Sequence, residues 1–199
     1  MKPAAIGFRV HSGWTSLIAL ALENDEPIVL ARQRPHLVAT FSYTFRQPYH
    51  TAEKMGLAEA GSFLDQQRRE ARKLALHAIR SAQTEAAQQG YELTRAALLL
   101  ASGRPLPELA KILASHSIIH TADGEFFREA LIHGCTRANL PITRIKDREL
   151  LANASATLCQ KPPALTRFVS ELGKPLGSPW TQDEKFATLA AWLALAANH

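Results

Sequence analysis

Residues 4–11 and 15–22 are runs of aliphatic and β-branched side chains, and residues 28–34 alternate apolar with polar; each run predicts a β-strand. Ser12-Gly13 turns between the first two, and the polar stretch Glu23-Asn24-Asp25-Glu26-Pro27 between the second and third. Connections this short make an antiparallel meander. An aromatic loop follows over residues 41–50, with Phe41, Tyr43, Phe45 and Tyr49 around Pro48.

The period then changes. Over residues 62–89, Phe63, Leu74, Ala75, Ala78 and Ala82 fall near one helical stripe, and Gly90 is placed as the stop. Residues 93–101 are almost unbroken apolar, the pattern of a central strand buried on both faces. A short helix is predicted over 106–114 and a brief strand over 117–120. Thr121 then caps a helix to residue 138, with Asp123 and Glu125 in its first turn. Asn139-Leu140-Pro141 ends that helix, and residues 142–146 make a last strand, the second half of a parallel crossover. Helices are expected over 147–158 and 163–172. Thr181-Gln182-Asp183-Glu184 is a capping box that opens the final helix, whose Phe186, Leu189, Ala190 and Leu193 form a core face.

The whole chain of 199 residues is read as a single α/β domain, with the C-terminal helices over 147–199 packed on it. A chain of 199 residues can bury a full core without disulfide staples, and its hydrophobic content of 46% is normal for a globular protein. The two cysteines, Cys135 and Cys159, have no metal-ligand spacing and imply a reduced compartment; Cys135 reads as inert core. The first residues lead straight into a strand without the long apolar run of a signal peptide, and no run is long enough to span a membrane. These features predict a cytoplasmic protein that needs no membrane. The net charge of +5 permits an anionic partner, although the basic residues are dispersed. No dinucleotide fingerprint and no Cys/His ligand spacing is present, so no cofactor and no metal are expected.

The order of elements, three antiparallel strands, helix, apolar strand, helix, strand and closing helices, resembles the ribonuclease H-like fold. The local resemblance is to its resolvase branch. Ile6-Gly7-Phe8-Arg9-Val10-His11-Ser12-Gly13 is similar to that branch's first strand and turn. Asp183-Glu184-Lys185-Phe186-Ala187-Thr188-Leu189-Ala190-Ala191-Trp192 is similar to its last helix. The resemblance implies a three-stranded antiparallel meander plus parallel strands with flanking helices. It also implies two divalent metals held by acids from the first strand, the central strand and the last helix, because hard cations take oxygen ligands. This chain departs from that pattern. Arg9 stands at the first-strand acid, residues 96–102 contain no acid, and only Asp183 or Glu184 remains. A fixed positive charge at Arg9 argues against a two-metal nuclease.

Two stretches carry candidate chemistry. In the first, His120 ends the strand expected over 117–120, and Glu125 and Arg128 lie on the first turns of the following helix. There His120 could serve as acid or base, oriented by Glu125. The bland alternative is that Asp123 and Glu125 only satisfy the helix dipole. In the second, Arg9 and His11 share a strand face beside Ser12 and could hold a carboxylate or phosphate, unless that face is simply solvated. Arg104, in the loop after the central strand, could join them. The aromatic loop 41–50, with Arg46 and His50, could stack bases, but such a loop more often packs over a core edge or makes a homo-oligomer contact.

Two readings follow. One is a binding module for an anionic partner, nucleic acid or a nucleotide, using Arg9, His11, Ser12, Arg104 and Arg128. The other is a metal-independent hydrolase using His120 and Glu125. The hydrolase requires His120 and Glu125 to share a cleft with Arg9 and His11; opposite sides of the sheet would leave only the binding module.

Overall fold

The computed structural model describes residues 1–101 and 105–196. Arg104, with Ser102 and Gly103, lies outside the described residues.

Five strands form one mixed sheet in the order β3-β2-β1-β4-β5. They are β1 (Lys2–His11), β2 (Trp14–Glu23), β3 (Glu26–Gln33), β4 (Tyr91–Leu100) and β5 (Ile142–Lys146). The meander is antiparallel, and β4 and β5 add to β1 in parallel. Asn24 and Asp25 join β2 to β3 with φ of 51° and 66°, the two positive values that a two-residue type I′ hairpin requires.

The helices are α1 (Tyr43–Arg46), α2 (Pro48–Ala52), α3 (Leu57–Gln88), α4 (Leu109–Leu113), α5 (His116–Arg137), α6 (Leu150–Thr157), α7 (Pro162–Leu172) and α8 (Gln182–Ala196). Strand alternation divides them between two cores. Ala4, Ile6, Phe8 and Val10 of β1 pack with Ala75 and Ile79 of α3 and Phe127 and Leu131 of α5. Ala5 points the other way and joins Leu150 of α6, Leu165 of α7 and Leu189 and Ala190 of α8. The same alternation puts Gly7, Arg9 and His11 on the α8 side. Cys135 is fully buried in the first core, and burial pushes its thiol up to about 12.

Three expectations need correction. Residues 117–120 are not a strand but the first turn of α5. The β-branched pair Ile118-Ile119 favours a strand locally, yet Ile119 continues the buried stripe of Ala122, Phe126 and Ala130 at helical spacing, and packing decides. The aromatic loop holds two short helices, α1 and α2, and buries Tyr49 and His50. The long helix begins earlier than expected, at Leu57. Among the described residues, no helix is long and apolar enough to cross a membrane.

Candidate functional site

The first candidate site forms where β1, β5 and α8 meet. The capping box at the start of α8 sets its position. Glu184 accepts hydrogen bonds from the Thr181 amide at 2.7 Å and the Thr181 hydroxyl at 2.6 Å, and Arg34 donates to it at 2.7 Å from the end of the meander. Burial raises the Glu184 carboxyl, but the donors from Arg34 and Thr181 outweigh it and hold the group down at about 2. With that turn fixed, the preceding residue, Asp183, faces the end of β1.

Arg9 lies between two acids. One guanidinium nitrogen, Nη2, is 3.2 Å from Asp147 Oδ2 just after β5, and Nη1 is 3.4 Å from Asp183 Oδ1. The guanidinium also covers the Phe186 ring at 4.6 Å, one turn further along α8. His11 brings Nε2 to 2.9 Å from Asp183 Oδ1, but off the line of a hydrogen bond, so this is a close polar contact and not a bond. The His11 ring stacks on Trp14 at 4.5 Å, and Arg34 lies over the Trp14 ring. Ser12 takes part through its carbonyl, which accepts from Arg46 Nε at 3.1 Å. Arg46 in turn lies over Phe41, while Tyr43 stays exposed. Lys146 and Arg148 flank Asp147, and a groove beside Phe186 is lined by Leu151, Thr166, Gln182 and Lys185.

A second cluster lies on the other side of the sheet, where α2 meets the start of α5. His50 is buried, and its Nδ1 is 2.5 Å from Asp123 Oδ2. The second oxygen of Asp123 accepts from the Tyr49 amide at 2.7 Å. Burial holds the Asp123 carboxyl above its ordinary range in spite of these bonds. His116 and His120, one turn apart on α5 and both exposed, complete the cluster with their Nε2 atoms 3.1 Å from each other. One ring nitrogen from each of His50, His116 and His120 lies within 4.8 Å of the others.

The structure therefore brings Arg9 and His11 together, beside the Ser12 carbonyl, and keeps them apart from His120 and Glu125. Glu125 and His120 are five positions apart on one helix, which turns them to different sides. Glu125 pairs with Arg128 at 3.2 Å, and Arg128 Nε donates to the Leu99 carbonyl at the end of β4. Arg128 is thus tied into the fold. Sequence reasoning missed Asp147 as a partner of Arg9, and it missed the joining of His50 and Asp123 to the two α5 histidines. The i, i+4 pair His116 and His120 was a usable signal that the assignment of a strand to 117–120 concealed.

The fold is ribonuclease H-like. RuvC from Thermus thermophilus superposes with a TM-score of 0.53 over 97% of this chain and 93% of that one, at 9% identity. A structure of T. thermophilus RuvC in complex with a Holliday junction substrate superposes equally, with a TM-score of 0.53 and 10% identity, covering 97% of this chain and 92% of that one. No protein-family model and no curated protein matches the chain.

Proposed function

We propose that this chain is a nucleic-acid-binding module on a ribonuclease H-like scaffold that does not perform two-metal cleavage. The observation that carries the reading is Arg9 held between Asp147 and Asp183. A two-metal site keeps its carboxylates available to hard cations. Here a guanidinium bridges both acids, His11 crowds one of them, and the C-terminal half of β4, residues 96–100, carries no acid. The donor set does not fit a metal pair.

Nucleic acid is favoured over a small anion because the cations are spread along a rim. Lys146 and Arg148 flank Asp147, Lys185 lines the groove beside Phe186, and Arg46 holds the β1–β2 turn. Such a field attracts a polyanion more than a single phosphate. Exposed Tyr43 offers a ring face on which a base can stack. The Holliday junction bound by the RuvC neighbour supports the same class of partner. Nothing favours the hydrolase reading, since His120 and Glu125 have separate partners and lie across the sheet from Arg9.

Fluorescence anisotropy with labelled single-stranded and branched DNA tests this reading. Binding should fall steeply with added salt, because phosphate contacts release counterions. Arg148→Glu and Lys185→Glu should each weaken it. Absence of binding at low ionic strength, or Mg²⁺-dependent cutting of the DNA by the purified chain, overturns the reading.

A further inference from the structure

We propose that His50, His116 and His120 bind one divalent transition-metal ion, with zinc as the reference case, through three imidazole nitrogens and with a fourth position open to solvent. The site is separate from the Arg9 cluster, on the opposite face of the sheet, and does not depend on nucleic-acid binding.

The ligand spacing fits. Two nitrogens bound at about 2.05 Å to a tetrahedral centre are about 3.3 Å apart. The Nε2 atoms of His116 and His120 are 3.1 Å apart, and a nitrogen of His50 lies within 4.8 Å of both. The helix itself supplies the first two ligands, because positions four apart on α5 share one face. An approach of at most about 1.5 Å by the exposed rings of His116 and His120 towards His50 closes the set.

The third ligand is preoriented. With an oxygen of Asp123 at Nδ1 of His50, the remaining nitrogen, Nε2, is the one available to a metal, and the ring lies edge-on to those of His116 and His120. A carboxylate behind a ligating imidazole fixes its ring and raises its basicity, a recurring arrangement around bound zinc. Asp123 is itself anchored by the Tyr49 amide, and both His50 and Asp123 are buried. Thus one ligand is rigid and held from inside, while the other two are exposed at the surface, where an ion can enter.

The donor chemistry selects the ion. Imidazole suits zinc, copper, nickel and iron, and it suits magnesium and calcium poorly. Three histidines without a fourth protein ligand leave a coordination position for water, the arrangement of catalytic rather than structural zinc. The ion would act there as a Lewis acid on whatever oxygen occupies that position.

The test uses the full chain, stripped with a chelator and titrated calorimetrically with Zn²⁺ near neutral pH, and in parallel with Co²⁺ read by visible absorption. One equivalent should bind, with cobalt d–d bands and no thiolate charge-transfer band. His116→Ala and His120→Ala alter exposed side chains and should fold normally. Each should lower the affinity at least about tenfold and remove the cobalt spectrum, and Asp123→Asn should weaken binding by about 10- to 100-fold while all three ligands remain. Equal zinc binding by the wild type and the double variant His116→Ala/His120→Ala overturns the site, as does a cobalt complex without d–d bands of a low-symmetry centre.

Discussion

Gly7 lies directly against the carbonyl of Ala187, so close that a Cβ on Gly7 would overlap that oxygen. This contact, not a turn, explains the glycine. It lets α8 settle onto β1 and brings Asp183 to the strand end where Arg9 and His11 emerge. Because the obstacle is backbone on both sides, the clash cannot be relieved by a rotamer change. Gly7→Ala should destabilise the fold by about 3 kcal/mol or more, at the upper end of overpacking effects. Urea denaturation measures this. A loss under about 1 kcal/mol would mean that α8 does not approach β1 as described.

The parts of the fold governed by local periodicity were legible in the sequence. Period-two alternation placed Phe8 and Val10 opposite Arg9 and His11, and the unbroken apolar run of β4 marked a strand covered on both faces. The capping box at Thr181 and Glu184 was legible too, and it forms. What was hidden depends on the fold bringing distant residues together. Asp147 is 138 positions from Arg9, and His50 is 73 from Asp123, so neither pairing leaves a spacing to read. The charge argument at Arg9 needs no such pairing, because a guanidinium repels a metal wherever its partners come from. The start of α5 was lost for another reason: Ile118-Ile119 has strand propensity, and the helical stripe that overrides it is visible only when residues 119–135 are read as one face.

Glu184 should make stability depend on acid. Its side chain is fully buried against Arg34, which is itself partly exposed, and its folded value of about 2 is below the ordinary 4.5. A lowered carboxyl contributes stability that is complete above about pH 4.5 and disappears as pH falls through about 2. Allowing for solvent around Arg34, the contribution is roughly 2 kcal/mol near neutral pH. Wild type and Glu184→Gln, compared by thermal unfolding across this range, should differ most near neutrality and converge in acid. A difference that stays constant down to about pH 2 would show that the glutamate acts through shape and not through charge.

Arg9 makes the sharpest prediction about metal at the β1 end. It stands between Asp147 and Asp183 where a cation would sit, so Mg²⁺ gains little by binding the native state there, and only differential binding to the native state raises stability. Millimolar Mg²⁺ should leave the wild-type melting temperature unchanged within about 1 °C, and the histidine cluster does not alter this expectation because Mg²⁺ prefers oxygen ligands. Removing the guanidinium has two consequences of opposite sign. Arg9→Ala leaves two partly buried carboxylates facing each other without a cation, so the variant should be less stable in metal-free buffer, by about 2 kcal/mol for a pair that solvent partly screens. The same variant frees two oxygen donors, so Mg²⁺ should now recover part of the loss. Differential scanning fluorimetry of both proteins, with and without Mg²⁺, separates the outcomes. A substantial Mg²⁺ shift in the wild type, with none gained in Arg9→Ala, would mean that the guanidinium does not occupy the cation's place.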